Sequence, residues 1–200
     1  MSFDVAVEGR RGEATIAARF ATGPGVTVLL GPSGVGKTSV LHMIAGLVRP
    51  ERGHVRVGGA TLFDAAAGVD APVERRRAGY VFQDTRLFPH LRVRDNILYG
   101  AMSDARLTET AAMLDITPLL DRWPRTLSGG EARRVAIGRA LLSDPAFLLL
   151  DEPLSSLDPA RQEDGLRLVE RLAATGLPVL MVTHDERDAA RLGGAVVRMG

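Results

Sequence analysis

Short apolar runs alternate along the chain with segments whose apolar residues recur at helical spacing. The apolar runs lie at 26–30, 147–151 and 179–182, and the helical segments at 37–47, 130–142 and 159–174. Continuous apolar runs of about five residues are typical of strands that are buried on both faces. Because such strands alternate with helices, the pattern predicts an α/β fold built on a mostly parallel sheet.

A second group of β-type segments departs from this alternation. The segments are residues 14–20, 55–57 and 61–63, and Gly58 and Gly59 separate the last two. A glycine pair between two short alternating runs is typical of a hairpin turn. The sequence therefore predicts an antiparallel β subdomain beside the main sheet.

The stretch 91–127 is rich in alanine and has helical spacing, but Pro118 and Pro124 interrupt it. Proline ends or kinks a helix, so we expect several short helices there. We predict an inserted helical lobe at about 86–130. Since no linker-like tract is present, we expect residues 1–200 to form a single domain, with no C-terminal regulatory domain.

Composition narrows the classes of function. The formal net charge is +1, and the short run Arg75, Arg76, Arg77 is typical of a solvated surface, so we predict no nucleic-acid partner. The absence of cysteine excludes disulfides, a thiolate nucleophile and a Cys-ligated zinc site. No apolar run reaches the about 18 residues of a transmembrane helix, so we expect the chain to be soluble by itself.

A phosphate-binding loop is predicted between the apolar run at 26–30 and the helix that follows. Its residues are Gly31, Pro32, Ser33, Gly34, Val35, Gly36, Lys37 and Thr38, which match G-x-x-x-x-G-K-[ST]. The glycines let backbone N–H groups converge on phosphate oxygens, Lys37 reaches the β- and γ-phosphates, and the Thr38 hydroxyl can ligate Mg²⁺. This predicts a P-loop NTPase core that binds ATP, but leaves kinases, GTPases, helicases and transport ATPases open.

The second half of the chain carries motifs that narrow this choice. Residues 127–131, Leu-Ser-Gly-Gly-Glu, precede a predicted helix, and residues 147–153, Phe-Leu-Leu-Leu-Asp-Glu-Pro, follow it. In order and spacing they resemble the signature and Walker B motifs of ATP-binding cassette (ABC) ATPases. Gln83, which follows the short predicted strand 80–82, resembles the Q-loop glutamine of that family. The resemblance covers essentially all of the sequence.

The resemblance implies a role for each of several polar residues. Asp151 would hold Mg²⁺ together with Thr38 and Gln83. Glu152 would act as the general base on the attacking water. His184, within the Thr-His-Asp sequence at 183–185, would contact the γ-phosphate. The implied catalytic residues are therefore Glu152, His184 and Gln83.

The resemblance also implies a dimer. Ser128, Gly129 and Gly130 would bind the phosphates of the ATP held by the opposite subunit, so that two chains enclose ATP head-to-tail in a homodimer. Residues 155–158, Ser-Ser-Leu-Asp, resemble the D-loop that crosses this interface. Taken alone, the motif at 128–131 fits an ordinary helix N-cap equally well.

Two positions depart from the family pattern. Residues 9–13 offer no aromatic side chain that could stack on adenine, and Arg133 stands where the family usually has glutamine. How the adenine is held is therefore not implied by the resemblance.

The partner class follows from the resemblance and from what the sequence lacks. Only 44 residues lie between Gln83 and Ser128, which is too few for a long coiled-coil arm, and a single cassette is present. These features favour an importer subunit over a non-transport ABC ATPase. Residues 75–90 and 93–100 resemble molybdate-importer ATPases, so molybdate is the favoured solute, while thiamine or another small solute stays open.

An importer subunit implies further partners and a location. The partners would be an integral membrane permease subunit and a solute-binding protein, and the chain would be peripheral at the cytoplasmic face of the inner membrane. ATP hydrolysis would be coupled to transport. We expect Leu87 and Phe88, beside Gln83, to be exposed for contact with the permease.

Overall fold

The computed structural model describes residues 2–101, 103–155, 158–192 and 194–200. The strands are β1 (Phe3–Arg11), β2 (Ala14–Thr22), β3 (Val26–Leu30), β4 (Arg52–Val57), β5 (Ala60–Asp64), β6 (Val69–Asp70), β7 (Ala78–Val81), β8 (Phe147–Asp151), β9 (Val179–Thr183) and β10 (Ala195–Arg198). The helices are α1 (Lys37–Ala45), α2 (Val73–Arg76), α3 (Val93–Leu98), α4 (Leu107–Met113), α5 (Gly129–Leu142), α6 (Pro159–Ala174) and α7 (Glu186–Leu192). Short 3-10 turns span Thr117–Leu119 and Pro124–Thr126.

The main sheet has the strand order β10-β3-β9-β8-β7, and all of its pairs are parallel. Every residue of β3, β8 and β9 is buried, which agrees with their largely apolar sequences. In the register, Leu30 lies opposite Thr183, and Asp151 lies opposite Val182. The carboxyl ends of these three strands therefore meet at one edge of the sheet, where parallel α/β sheets carry their ligand sites.

The second sheet is antiparallel, with the order β2-β1-β4-β5-β6. The predicted hairpin corresponds to β4 and β5, and the two sheets confirm the predicted fold class. The apolar pattern did not predict β1, in which Phe3, Val5 and Val7 alternate toward the core. These side chains share a core cluster with residues of α1 and with Phe147 and Leu149 of the main sheet, so α1 packs between the two sheets.

The region 91–127 contains α3, α4 and both 3-10 turns, as the two prolines suggested. Its helices pack on α5 through buried apolar residues such as Ile97, Leu114 and Ile137. The predicted limits of a lobe at about 86–130, and the single-domain prediction for 1–200, stay predictions. No helix in the described part of the chain is both long and apolar enough to span a bilayer.

One arginine of the run 75–77 has a structural role. Arg76 is only 2% exposed. Its Nη1 donates to the carbonyl oxygens of Met43 and Ile44, each at 2.9 Å, and its Nη2 donates to Asp70 at 2.9 Å. Since these carbonyls belong to the last turn of α1, the guanidinium caps the helix that begins at the P-loop. The interpretation of the run as a solvated surface is wrong for Arg76.

The expectation that Leu87 and Phe88 are exposed is also wrong. Both are partly buried, and Leu87 packs against the core. The ring of Phe88 lies 4.3 Å from that of Tyr99 between centroids, and the Arg139 guanidinium lies 5.3 Å from the Phe88 ring centre. Asn96, fully buried, accepts from the Phe88 N–H at 2.8 Å and donates to its carbonyl at 3.1 Å, which fixes this loop against α3.

Phe88→Ala is therefore expected to lower the free energy of unfolding by about 1–2 kcal/mol, less than for a fully buried phenylalanine. Urea unfolding followed by circular dichroism measures this loss. Val69→Ala, at an exposed position, serves as the control and should change stability by less than about 0.5 kcal/mol. If Phe88→Ala is as stable as the parent chain, the ring does not contribute to the core.

Candidate functional site

The loop after β3 has the backbone that a phosphate cradle needs. Gly34 and Gly36 have φ values of 86° and 104°, a left-handed conformation that glycine adopts at low cost. A Cβ on Gly36 would lie 2.5 Å from the Ile16 side chain, so packing as well as conformation requires glycine there. Lys37 is 4% exposed, and its Nζ donates to the carbonyls of Gly31 at 2.8 Å and Pro32 at 2.9 Å. The ammonium is thus held within the loop.

A candidate magnesium site lies beside this loop. The Thr38 hydroxyl donates to Oδ1 of Asp151 at 3.1 Å, and Asp151 is 3% exposed at the end of β8. Burial raises the pKa of Asp151, while the Thr38 hydrogen bond acts in the opposite direction. No group of three His, Cys, Asp or Glu side chains that could hold a metal is present among the described residues. A hydroxyl and one carboxylate fit Mg²⁺, which takes its remaining ligands from water and phosphate.

Glu152 and His184, both implied to be catalytic by the resemblance, lie close together. Glu152 has φ 47°, unusual for a residue other than glycine, and its N–H donates to the Val182 carbonyl at 3.1 Å. The chain turns away from β8 at this residue, and Oε2 of Glu152 lies 3.5 Å from Nδ1 of His184. The Glu152 side chain is 17% exposed and that of His184 is 53% exposed. The pair is therefore reachable from solvent at the edge of the sheet that carries the P-loop.

The turn that carries His184 is anchored from behind by Asp188. The Thr183 hydroxyl donates to this carboxylate at 3.0 Å, and the Gln162 amide donates to it at 2.7 Å. Asp188 is 3% exposed, and burial raises its pKa. This connection between β9, α6 and α7 was not predicted from sequence, because its members lie up to 26 residues apart.

Gln83 is the predicted site residue that the structure does not join to the others. It lies two residues beyond the end of β7 and is exposed. Within the described ranges, no hydrogen bond connects Gln83 with Asp151 or Glu152. Its predicted contact with Mg²⁺ and water stays a prediction.

An aromatic cluster next to Asp151 was not predicted. The Tyr80 hydroxyl donates to Oδ2 of Asp151 at 3.4 Å, and the Tyr80 ring stacks on Phe82 at 4.2 Å between centroids. His42 of α1 lies 5.7 Å from Tyr80, and burial lowers its pKa. Tyr80 and Phe82 lie two positions apart just before Gln83, and this alternation is the sequence signal that could have indicated a shared face.

The signature segment begins α5 with a capping box. The Ser128 hydroxyl accepts from the Glu131 N–H at 3.3 Å, and the Glu131 carboxylate accepts from the Ser128 N–H at 2.7 Å. The hydrogen bond from the Ser128 backbone lowers the pKa of Glu131, so this carboxylate stays ionised. Gly129 and Gly130 form the first turn, and N–H groups in a first turn have no partner within the helix. The N-cap interpretation is therefore correct, and the segment retains the features of an anion site.

The D-loop prediction is only partly covered by the described residues. Ser155 follows the Glu152 turn, and its hydroxyl donates to the Glu152 carbonyl at 3.0 Å. Asp158 caps α6, because its Oδ1 accepts from the Arg161 N–H at 3.1 Å. Ser156 and Leu157 lie outside the described residues.

The family follows from comparison with known proteins. The model of the family described as "ABC transporter" matches residues 19–155. This chain belongs to the ABC transporter family. The ABC cassette was thus correctly identified from the motifs, and the matched range includes the P-loop, signature and Walker B segments.

Curated relatives are about half identical to this chain over the aligned region. The Molybdenum import ATP-binding protein ModC of Brucella abortus (strain 2308) is 52% identical over 199 residues, covering 96% of this chain and 55% of that protein. ModC of Yersinia pestis bv. Antiqua (strain Antiqua) is 50% identical over 178 residues, covering 88% and 50% respectively. The chain therefore spans about half the length of the curated relatives it matches.

Solved structures share the fold of this family member. The ATP-binding cassette MJ0796, in a dimeric post-hydrolysis state bound to ADP and Pi, has a TM-score of 0.76 and 29% identity, covering 99% of this chain and 93% of that chain. The ATP-binding subunit of an ABC transporter has a TM-score of 0.79 and 25% identity, covering 100% and 86% respectively. Both likenesses extend over the two sheets and the helical region.

Proposed function

We propose that this family member binds ATP with Mg²⁺ and hydrolyses it as the energising subunit of an ABC importer, with molybdate as the favoured solute. One observation carries the proposal. The P-loop, the Thr38–Asp151 pair and the Glu152–His184 pair all lie at the carboxyl edge of the same parallel sheet. These are the parts that phosphoryl transfer to water requires.

The loop and its lysine bind the phosphates. Backbone N–H groups of residues 31–38 surround the phosphate oxygens, and Lys37 Nζ exchanges its carbonyl partners for the β- and γ-phosphates. Bound Mg²⁺ offsets the charge that develops on the phosphate oxygens. Thr38 and Asp151 would hold the ion, and because Asp151 is buried and already accepts from Thr38 and Tyr80, its carboxylate is fixed in direction.

Glu152 is the proposed general base. Its carboxylate orients the attacking water and accepts a proton as the water oxygen bonds to the γ-phosphorus and the bond from that phosphorus to the bridging oxygen of the β-phosphate breaks, which releases ADP and phosphate. His184, 3.5 Å away, would donate from its ring to the γ-phosphate. Gln83 would complete the site by contacting Mg²⁺ and water when the loop between β7 and α3 moves toward the nucleotide.

Two copies of the chain would form a homodimer with two complete ATP sites. Ser128, Gly129 and Gly130 would bind the γ-phosphate of the ATP on the opposite subunit, and the anion-binding features at the start of α5 support this assignment. The structural neighbour MJ0796 is a dimer bound to ADP and Pi, which supports the same arrangement here. An integral membrane permease and a solute-binding protein would be the other partners, and this chain would lie at the cytoplasmic face of the inner membrane.

Ser128→Arg tests the dimer. With ATP and Mg²⁺, we expect the Glu152→Gln variant to form a dimer. The double variant Glu152→Gln, Ser128→Arg should remain a monomer, because the larger side chain fills the second phosphate site. Size-exclusion chromatography with light scattering measures the mass. Ser143→Arg, after the last residue of α5, is the control for added charge and should still dimerise. An ATP-dependent dimer of Ser128→Arg would contradict this role.

The solute is tested by transport. Relatives that are about half identical carry the name molybdenum import ATP-binding protein, which supports molybdate. The chain co-expressed with its permease in a strain that lacks molybdate uptake should restore uptake of molybdate and not of thiamine. Uptake of thiamine alone would show that thiamine, not molybdate, is the transported solute, and it would leave the ATPase assignment intact.

A further inference from the structure

A cavity of about 600 Å³ lies between α5 and α6 and begins near the signature segment at the start of α5. Ser128 and Gly130 line one end, and the apolar side chains of Ile137, Leu154 and Leu168 line the interior. This volume falls in the range of about 300–1,000 Å³ that is typical of small-molecule sites. None of the roles in ATP hydrolysis uses the interior of this cavity.

The walls carry an excess of positive charge. The lining arginines are Arg133, Arg134, Arg161, Arg167 and Arg171, and the lining acids are Asp115, Asp164 and Glu170. Arg161, Arg167 and Arg171 have carboxylates at 3.2, 3.2 and 4.0 Å respectively. Across the ranges that the structure describes, neither Arg133 nor Arg134 has a carboxylate within ion-pair distance. Among the described lining groups, those without an ion pair are therefore Arg133 and Arg134 on α5 and Asp164 on α6, which leaves a net positive charge.

Arg133 is the more constrained of the two. Its Nη1 donates to the Ser155 carbonyl at 3.2 Å, but its buried Nε has no hydrogen-bond partner in the described part of the molecule. Burial lowers the pKa of Arg133, and no carboxylate offsets this effect. Arg133 is half-buried, and a partly desolvated cation without a counter-ion is costly. Buried donors without partners commonly mark the place of a water or ion. This is also the position at which the chain departs from the glutamine of its family.

We propose that the cavity binds a small organic anion, whose phosphate or carboxylate group contacts Arg133 and Arg134 and whose apolar or aromatic body packs on Ile137 and Leu168. The ligand offsets the charge of Arg133, which is the unmet requirement of the cavity. Ile137 and Leu168 are each only 3% exposed, so their contact with the ligand body contributes less than the charge. This site is separate from the P-loop and does not depend on the proposed ATPase function.

Hydrogen bonds connect the cavity with the turn that carries Glu152. Arg133 bonds to the carbonyl of Ser155, and the N–H of Ser155 donates to the Glu152 carbonyl at 3.2 Å. A ligand that moves the Arg133 guanidinium therefore acts on the turn that orients Glu152. In an ATPase, an occupied cavity would change turnover without competing for the P-loop of the same chain.

The experiment measures binding of phenyl phosphate to the Lys37→Ala chain, in which the P-loop has lost its phosphate-binding lysine. Benzoate provides the carboxylate form of the ligand, and benzyl alcohol provides the neutral body. Backbone amide chemical shifts are followed by NMR during titration. We expect saturable shifts at residues 133–137 and 164–168, with benzyl alcohol binding at least about tenfold more weakly because it lacks the charge-assisted hydrogen bonds.

Arg133→Gln in the same background should weaken phenyl phosphate binding by at least about tenfold, whereas Arg187→Gln, at an exposed position, should not change it. Three results would overturn the proposal: equal binding in Arg133→Gln, equal binding of benzyl alcohol, or shifts confined to residues 31–38. If Arg133→Gln melts at a lower temperature than the parent, Arg134→Gln provides the same comparison with the same three outcomes.

Discussion

Glu152→Gln is expected to reduce the steady-state rate of ATP hydrolysis by about 10²–10⁴-fold, the usual contribution of a general base. Glutamine keeps the size of the side chain and a hydrogen-bond acceptor for the water, but it cannot accept the proton. Because the P-loop and the Thr38–Asp151 pair remain intact, ATP affinity should stay within about twofold. Release of phosphate measures the rate, and equilibrium binding of a fluorescent ATP analogue measures the affinity.

The control for this substitution is Glu51→Gln, at an exposed position distant in sequence from the catalytic edge. It should hydrolyse ATP at the parental rate. Hydrolysis by Glu152→Gln within twofold of the parent would remove Glu152 from the role of base. The contact of 3.5 Å with His184 would then be a structural ion pair only.

Lys37→Ala is expected to weaken ATP binding by about 10–100-fold, since it removes charge-assisted hydrogen bonds to the phosphates. Hydrolysis should fall by more than this factor, because the charge on the γ-phosphoryl oxygens is also stabilised by the ammonium in the transition state. Isothermal titration with ATP and Mg²⁺ measures the first effect, and single-turnover hydrolysis measures the second.

Arg49→Ala is a suitable control, because Arg49 is a cation beyond the other end of α1 whose side chain is 75% exposed. Its effect on ATP affinity should be less than about twofold, since exposed charges interact weakly. An unchanged affinity in Lys37→Ala would mean that the backbone N–H groups of the loop alone bind the phosphates. Lys37 would then not have the phosphate-binding role that the P-loop motif predicts for it.

The local parts of this fold could be predicted from the sequence. The observed bounds of β3, β8 and α6 equal the predicted ones, because β3 and β8 are short apolar runs and α6 is a helical pattern, each with a clear boundary at its ends. The resemblance assigned roles to Glu152 and His184 separately, and the structure shows that they follow the adjacent parallel strands β8 and β9. Because the motifs follow predicted strands, their order indicated that the site lies at the carboxyl ends of these strands.

The parts that could not be predicted depend on contacts between distant residues. A run of three arginines gives no local sign that Arg76 caps a helix 32 residues earlier in the chain. Tyr80 and Asp151 are 71 residues apart, and only strand pairing brings them together. Phe88 has the sequence of an exposed loop residue, but the buried Asn96 holds its backbone against α3. In each case tertiary packing decided between local alternatives.

The capping box at the start of α5 determines which groups a neighbouring phosphate can use. A serine hydroxyl has one proton and two lone pairs, and the Glu131 N–H occupies one lone pair of Ser128. The rotation of the hydroxyl is thereby restricted before any anion arrives, and its proton stays available for donation. The Ser128 N–H is already taken by the Glu131 carboxylate, so the helix presents one side-chain proton and the N–H groups of the two glycines. In the proposed anion site, Glu131 would therefore limit the donors available to a phosphate to that hydroxyl proton and the two glycine N–H groups.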